Sequence, residues 1–243
     1  IPIFLLRMFL QGCASTPLRG TGDLGVVIER AVGGLQVVET TGRTRLGQIN
    51  GLGDLSHASV NYSRDERYAY IFGRDGGLTK VDLLEMRIVK RVMQSGNSIG
   101  GAISQDGRLV AVANYTPGGV KVFDAATLEL VADIPALDDN GKPSKVIGLV
   151  DAPGNRFVFS LFEAGEIWLA DLRVPTKPAL TKFKNVGKEP YDAMITADGR
   201  YYLAGLFGED GLALLDLWDL KAGVKRVLNG YGKGEQKLPV YKM

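Results

Sequence analysis

A repeat of four polar turns is the feature that most constrains the fold of this chain. Each turn resembles Asp-Gly-Arg and ends in an arginine, and these arginines are spaced 41, 48 and 44 residues apart. The turns lie at residues 64–67, 105–108, 153–156 and 197–200. A short run of apolar, β-branched and aromatic residues follows each turn, such as Tyr68 to Phe72. Runs of this length and composition predict strands and argue against helical repeats.

A second short run follows each first run after a glycine turn and ends in an aspartate. These aspartates are spaced 42, 47 and 45 residues apart and are Asp82, Asp124, Asp171 and Asp216. A third run follows, and residues 24–39 look like the same unit without its first strand. Four short strands per unit of about 45 residues are typical of a propeller. The sequence therefore predicts an all-β fold, a β-propeller of four-stranded blades, with about five blades' worth of chain.

Composition supports a folded chain rich in turns and excludes several kinds of site. Of the 243 residues, 45% are hydrophobic and 32 are glycine, which is well above the usual glycine share of roughly 7%. The net charge of +2 gives no electrostatic case for a nucleic acid or an anionic membrane surface as a partner. One cysteine and one histidine exclude an internal disulfide framework and every zinc site that needs three or four Cys or His ligands.

The single cysteine lies at the end of an apolar N-terminal stretch. Residues 1–12 are apolar apart from Arg7 and Gln11, and this stretch is too short to span a bilayer. The segment Leu10-Gln11-Gly12-Cys13 resembles a bacterial lipobox. We therefore predict a signal remnant and linker at residues 1–21, lipidation of Cys13, and a partial propeller domain at residues 22–243. The alternative is a chance Gly-Cys pair in an upstream extension.

Candidate site residues follow from the position of each segment in the repeat. The innermost strand of a propeller blade, and the segment that leads into it, line the central channel. Counting ten residues back from the repeat arginines aligns His57, Ser98, Val146 and Pro190 at the channel mouth. The only histidine of the chain, His57, is the one group suited to proton transfer near pH 7 or to nitrogen ligation of iron. The alternative is a histidine hydrogen-bonded within a blade.

Other polar residues align in the repeat at the same end of the blades as His57, or interrupt the apolar pattern of a strand. The rim candidates are Arg30, Arg74, Asn114, Tyr115 and Lys145. The cations among them either pair with ligand carboxylates or are solvated surface charges. The aspartates that end the second runs recur in every unit, which favours a structural role. Asp151 interrupts an apolar inner strand, and it either points into the channel or, as we slightly favour, caps the turn at Pro153.

Three segments resemble a known family. They are Asp-Leu-Ser-His-Ala-Ser at residues 54–59, the stretch at residues 67–77, and the Asn-Tyr-Thr-Pro-Gly-Gly turn with its continuation at residues 113–124. On these segments the chain resembles the d1 propeller superfamily over about residues 20–243. Within it, the chain is most similar to the NirF-type family of haem d1 biosynthesis proteins, relatives of the d1 domain of cytochrome cd1 nitrite reductase.

The resemblance implies a fold, a ligand and a cellular place. It implies an eight-bladed propeller, of which this chain lacks about the last third, located in the periplasm and often carried as a lipoprotein. The family binds haem d1 or its dihydro precursor over the channel mouth and acts late in the maturation of nitrite reductase for denitrification. The resemblance leaves catalysis and carriage both open. Expected partners are cytochrome cd1 nitrite reductase, other haem d1 assembly proteins and, at full length, a second copy of the protein.

The resemblance also assigns roles to residues. His57 matches the functional histidine of the family, as catalytic acid or base or as iron ligand. Arg30, Arg74 and Lys145 would meet the tetrapyrrole carboxylates, and Asn114 and Tyr115 lie in the segment that would bind the cofactor.

Two other function classes remain open from the sequence. One is a scaffold propeller that binds proteins through its rim. The other, which the sequence favours less, is a lactonase-like sugar enzyme with a metal held by Glu189, Asn97 and Asn114.

Overall fold

A computed structural model describes residues 20 and 22–230, and Cys13 lies outside these residues. Five antiparallel sheets follow one another along the chain, each with its strands in chain order, and we call them blades 1 to 5. Blade 1 has three strands, β1 (Leu24–Glu29), β2 (Gly34–Glu39) and β3 (Thr44–Ile49). Blade 2 has β4 (Ser59–Tyr62), β5 (Tyr68–Phe72), β6 (Gly77–Asp82) and β7 (Arg87–Met93). Blade 3 has β8 (Asn97–Ile103), β9 (Leu109–Thr116), β10 (Val120–Asp124) and β11 (Leu130–Ile134).

The last two blades repeat this arrangement. Blade 4 has β12 (Val146–Ala152), β13 (Arg156–Leu161), β14 (Glu166–Asp171) and β15 (Ala179–Phe183). Blade 5 has β16 (Pro190–Ile195), β17 (Tyr201–Leu206), β18 (Leu212–Asp216) and β19 (Val224–Val227), with a 3₁₀ turn at Leu220–Ala222 before β19. The predicted all-β fold of four-stranded blades is confirmed, and within the described residues the first unit has three strands. No helix in residues 22–230 is both long and apolar enough to cross a membrane.

The core consists of apolar layers between successive blades. Leu35 and Val37 of blade 1 pack with Ile71 and Val81 of blade 2, and three similar clusters join the later blades. The middle strands are covered on both faces, so every residue of β6 is buried. Strands in such a position are near-continuously apolar, which is why the repeated runs showed little alternation. The blades therefore hold together through their faces, and their turns project at two opposite ends.

The Asp-Gly-Arg turns lie together at one end, which we call the base. In blade 3, Ser104 Oγ donates to Asp106 Oδ1 at 2.6 Å, and the same carboxylate oxygen accepts the backbone N–H of Arg108 at 3.0 Å. The repeated aspartates close the neighbouring turns of the base. Asp82, for example, accepts Arg67 Nη2 at 2.8 Å and a backbone N–H of its own turn, that of Glu85, at 3.0 Å. The predicted structural role of these aspartates is confirmed by such contacts.

The innermost strands β4, β8, β12 and β16 line a channel. They are neighbours in this order, and open cavities of about 210 and 450 Å³ lie along them. Gly148 bulges inward with φ +59°, where a Cβ would lie 2.6 Å from the carbonyl oxygen of Tyr191, so the two inner strands approach closely. Asp151 does not cap its own turn, which corrects that expectation. Its carboxylate accepts Arg64 Nη2 at 3.0 Å, joining blade 4 to blade 2 across the channel.

Candidate functional site at the rim of the propeller

The end opposite the base, which we call the rim, is built from two kinds of segment. One is the turn between the second and third strands of a blade, and the other is the connection that leads into the next inner strand. The rim segments of blades 2 to 5 carry residues 54–57, 73–75, 95–98, 115–118, 144–145, 162–164, 187–191 and 207–209. In contrast to the base turns, each blade presents different side chains here, and most of them are aromatic or charged.

His57 lies in an exposed turn just before β4. The loop that carries it is held from both sides, because Asp54 accepts the backbone N–H of Arg74 at 2.8 Å and donates its own N–H to Asp75 Oδ2 at 3.1 Å. The N–H of Ser56 donates to Asp54 Oδ1 at 2.8 Å. Hydrogen bonds from the side chain of Ser56 and then from this N–H lower the pKa of Asp54. The imidazole itself makes no hydrogen bond to the residues that the structure describes. It is not the in-blade histidine of the alternative interpretation.

Arg74 extends from blade 2 toward blade 3. Its guanidinium carbon lies 5.7 Å from the ring centroid of Tyr115, which is within the range of a cation–π contact. Ser98 fixes this approach, because its buried hydroxyl donates to the carbonyl of Gly73 at 2.7 Å. Within the part of the chain described, Arg74 has no ion-pair partner within 4.0 Å. The rim therefore presents a guanidinium whose hydrogen-bonding capacity is available to a ligand.

Lys145 approaches the same tyrosine from blade 4. Its ammonium lies 5.9 Å from the ring centroid of Tyr115 and 5.3 Å from that of Phe162. It also donates to Glu163 Oε1 at 2.5 Å. Burial would raise the pKa of Glu163, but the hydrogen bonds from Lys145 and Ser144 outweigh it and lower that pKa. Arg74 and Lys145 thus flank Tyr115, and only Arg74 lacks a carboxylate partner at this point of the rim.

A cluster of aromatic rings continues from Tyr115 into blades 4 and 5. The hydroxyl groups of Tyr115 and Tyr191 are 3.1 Å apart. The ring of Tyr191 lies 5.8 Å from Phe162, edge-on, and 5.4 Å from Phe207, while Phe162 and Phe207 are 6.1 Å apart. All four rings are half-buried. Burial, and then the hydrogen bond with Tyr191, raise the pKa of Tyr115 above its ordinary value, so the phenol stays protonated. We call these four residues the aromatic cluster.

The remaining predicted site residues have different surroundings. Arg30 is exposed in the β1–β2 turn, which joins the loop of His57 through a hydrogen bond from Leu52 N–H to the carbonyl of Gly33 at 3.0 Å. Asn114 is buried, and its carboxamide exchanges hydrogen bonds of 2.8 and 3.1 Å with Gln94. The amide of Asn114 is therefore bonded inside the propeller, and its expected role in cofactor binding stays a prediction.

One rim atom is left without a partner. Asn97 Oδ1, at the start of β8, is buried and accepts no hydrogen bond from the described residues. The lactonase-like alternative needs Asn97 beside Asn114 and Glu189, but Asn114 is already bonded to Gln94. Residues 20 and 22–230 contain no group of three or more His, Cys, Asp or Glu side chains arranged to hold a metal ion.

The sequence placed Glu163 at the rim, but Phe162 and Phe207 were not among the expected rim residues. The signal for Phe207 was present in the repeat, since the residue seven positions after each repeat arginine is Arg74, Tyr115, Glu163 or Phe207. Phe162 falls one residue earlier in blade 4, so only the structure shows that it joins the cluster.

Comparisons with known proteins identify relatives of this chain. Residues 19–243 match the family described as the Cytochrome D1 heme domain. Protein NirF of Stutzerimonas stutzeri is 64% identical over 246 residues, covering 100% of this chain and 63% of that protein. Protein NirF of Pseudomonas aeruginosa is 66% identical over 242 residues, covering 98% of this chain and 62% of that protein. The chain thus spans less than two thirds of the length of these curated relatives.

A solved structure shows the same fold. The structure described as dihydro-heme d1 dehydrogenase NirN in complex with DHE superposes with a TM-score of 0.75 and 28% sequence identity. The match covers 85% of this chain and 43% of that chain.

Proposed function

The chain belongs to the Cytochrome D1 heme domain family, and we propose that it binds a d1-type haem precursor, such as dihydro-haem d1, on its rim. In this proposal the precursor lies over the channel mouth against the aromatic cluster. The protein then assists a late step of haem d1 biosynthesis for cytochrome cd1 nitrite reductase. The observation that carries the proposal is the joint position of Arg74, Lys145 and the four rings at one end of the propeller.

The chemistry of the rim fits a tetrapyrrole. A tetrapyrrole is a broad, flat, conjugated ring with carboxylates at its edge. Half-buried aromatic side chains offer flat apolar surface to such a ring, at a gain of about 25 cal/mol for each Å² removed from water. Arg74 offers a planar set of N–H donors that matches a carboxylate in a bidentate manner. Arg30 adds a second exposed guanidinium on the neighbouring turn.

His57 is assigned the contact with the reacting centre. When bound, the tetrapyrrole supplies the iron and the conjugated ring system. His57 is exposed, lies on a loop anchored through Asp54, and makes no competing hydrogen bond within the described residues. A neutral imidazole offers a nitrogen to iron, and histidine is also a side chain suited to general acid or base chemistry.

The relatives support the pathway assignment. Two proteins named NirF are 64% and 66% identical to this chain, and the NirN structure matched above is a complex with DHE. We extend the proposal to the setting that this pathway implies. The protein acts in the periplasm of a denitrifying bacterium, anchored by a lipid on Cys13. It works with other haem d1 assembly proteins, and a second copy pairs with it at full length.

An absorption titration tests the proposal. Dihydro-haem d1, or a related isobacteriochlorin, is added to the purified wild-type protein and to the variants His57→Ala and Gln105→Ala. Gln105→Ala is the matched control, because Gln105 is exposed in a turn of the base. We expect a saturable spectral shift in the wild type and the control, and an altered spectrum in His57→Ala. No shift in any of the three proteins would reject tetrapyrrole binding. Mass spectrometry of the bound pigment then separates catalysis from carriage, because only catalysis changes its mass.

A further inference from the structure

A pair of buried carboxamides lies next to the segments that carry Arg74 and Tyr115. Gln94 and Asn114 are 7% and 1% exposed. Gln94 Nε2 donates to Asn114 Oδ1 at 2.8 Å, and Asn114 Nδ2 donates to Gln94 Oε1 at 3.1 Å. The pair joins the connection between blades 2 and 3, which carries Gln94, to strand β9 of blade 3, which carries Asn114.

The connection that carries Gln94 is also bonded to the turn that carries Arg74. The backbone N–H of Gln94 donates to the carbonyl of Gly76 at 3.1 Å. The hydroxyl of Ser98, at the other end of the connection, donates to the carbonyl of Gly73 at 2.7 Å. These two carbonyls lie on either side of Arg74 in the chain, so the connection fixes the backbone of the β5–β6 turn from which Arg74 extends.

On the other side, the pair acts on the backbone of Tyr115. Asn114 directly precedes Tyr115, and its backbone N–H donates to the carbonyl of Gly119 at 3.1 Å across the β9–β10 turn. The Arg74 turn, the connection, the two carboxamides and Tyr115 therefore form one continuous set of contacts. At its open end the guanidinium carbon of Arg74 lies 5.7 Å from the ring centroid of Tyr115.

The charges around Arg74 make the position of its guanidinium important. Asp75, the next residue, is paired with Arg91 at 2.6 Å. Hydrogen bonds from Ser56 lower the pKa of Asp54 most, and the nearby charge of Arg74 lowers it further. Because carboxylates and guanidinium groups are both present here, net charge alone does not direct an anion to Arg74. Its contact with a ligand depends on where the turn and the neighbouring ring hold the side chain.

We propose that Gln94 and Asn114 form a positioning pair that holds Arg74 against Tyr115 in the arrangement that the ligand meets. A fully satisfied buried polar contact favours one relative placement of its two segments, because its donors and acceptors must meet. The inference rests on the proposed function, since it concerns the same site. The carboxamides act through the rim residues, and Arg74 makes the contact with a ligand carboxylate.

A double-mutant cycle tests the pair. The apolar-pair variant, Gln94→Met/Asn114→Leu, keeps the approximate shape of both side chains and removes their hydrogen bonds. Such a replacement of both partners can leave stability nearly unchanged. Arg74→Gln is introduced into the wild type and into the apolar-pair variant. The dissociation constant of dihydro-haem d1 is then measured by absorbance for each protein, and urea unfolding shows that each is folded.

The matched control is Ser160→Ala/Tyr202→Phe. It removes another buried polar contact between neighbouring blades, the 2.8 Å contact between the two hydroxyl groups in blades 4 and 5. The control is combined with Arg74→Gln in the same way.

In the wild type we expect Arg74→Gln to weaken binding about ten-fold. In the apolar-pair variant it should weaken binding by less than about three-fold, because a displaced guanidinium contributes less. In the control the loss should remain about ten-fold. A purely structural role of the carboxamides would lower stability and leave the effect of Arg74→Gln unchanged. Should the apolar-pair variant fail to fold, Gln94→Met alone enters the same cycle with the same expectation.

The outcomes separate the positioning role from the proposed function. If the wild type binds the d1-type haem and Arg74→Gln has equal effects in the wild type and the apolar-pair variant, the positioning role is rejected and the proposed function stands. Arg74→Gln without effect in the wild type leads to the same conclusion, as does an equal reduction in the control. If the wild type binds no d1-type haem, the proposed function and this inference are both rejected.

Discussion

The base and the rim of the same blades are built on opposite principles. At the base, blades 2, 3 and 5 use one solution, in which Ser63, Ser104 and Thr196 each donate to an aspartate two residues later. At the rim, the position seven residues after each repeat arginine holds an arginine, a tyrosine, a glutamate and a phenylalanine in blades 2 to 5. Repetition at the base reflects one local turn that each blade must close. The rim side chains differ between blades, and side chains from different blades together form one surface.

The comparison teaches which contacts are local and which are not. The base contacts mostly join residues two to sixteen positions apart, such as Arg200 and Asp216. The rim contacts join residues of different blades, and Tyr115 and Tyr191 are 76 positions apart. We therefore expect changes at the base to lower stability without affecting ligand binding. Changes to the charged side chains of the rim should do the reverse, whereas loss of the hydroxyl contact within the aromatic cluster should affect mainly stability.

The largest expected effect is acid unfolding through the base. The pKa values of Asp82, Asp106, Asp124 and Asp216 are below the ordinary value of 3.8. Hydrogen bonds cause the shifts, outweighing burial at Asp82 and Asp106. A depressed native pKa contributes stability above the unfolded pKa, and this stability is lost as pH falls through the native pKa. The free energy of unfolding should be insensitive to these groups from about pH 5 to 7 and fall steeply below about pH 4.

Urea unfolding at a series of pH values measures this effect. The Asp82→Asn/Asp216→Asn double variant should have lower stability at pH 7 and a shallower pH dependence, because two of the titrating groups are gone. An equally steep dependence in the double variant would place the acid sensitivity outside the base.

Removal of one buried base carboxylate should have the next largest effect. Asp82 is 1% exposed and accepts both Arg67 and backbone N–H groups of its turn. Asp82→Ala should lower the free energy of unfolding by about 2 kcal/mol, because the turn N–H groups lose their acceptor. Asp133→Ala, which removes an exposed carboxylate 4.0 Å from Lys121, should change it by less than about 0.5 kcal/mol. Unchanged stability in Asp82→Ala would contradict the structural role of the base.

Arg74→Gln tests whether a change at the rim weakens ligand binding without lowering stability. Loss of the unpaired guanidinium should weaken binding of the d1-type haem about ten-fold. The free energy of unfolding should change little, because the side chain of Arg74 makes a cation–π contact with Tyr115 and, among the residues that the structure describes, no ion pair within 4.0 Å. Arg87→Gln, at an exposed base site, is the control and should leave the dissociation constant unaltered. Equal weakening in both variants would mean that overall charge, and not the rim, attracts the ligand.

The smallest expected effect concerns the hydroxyl pair of the aromatic cluster. Tyr191→Phe removes one partner of the 3.1 Å contact with Tyr115 while keeping the ring. It should lower the free energy of unfolding by about 1 kcal/mol and change binding of the d1-type haem by less than about two-fold. Tyr201→Phe, in a base position, is the control. A large loss of binding in Tyr191→Phe would instead mean that the two hydroxyl groups contact the ligand directly.

Much of the fold could be predicted from the sequence, because its signals are local. The repeat arginines and aspartates set the period, and short apolar runs between glycine turns predicted the strands. Residues 24–39 also showed a further, partial unit of the same repeat. Position in the repeat further predicted that His57, Arg74, Tyr115 and Lys145 lie at one end. Each of these predictions needs only neighbouring residues and a count.

The sequence by itself determined the blade, its turns and the end at which each side chain emerges, since short-range hydrogen bonding and burial decide these. Only the tertiary structure decided which rim residues meet. It placed Lys145 against Glu163, withdrew Asn114 into the interior beside Gln94, and turned Asp151 toward Arg64. These pairings depend on how successive blades pack around the channel axis. That packing joins residues far apart in the chain, so no local pattern could specify it.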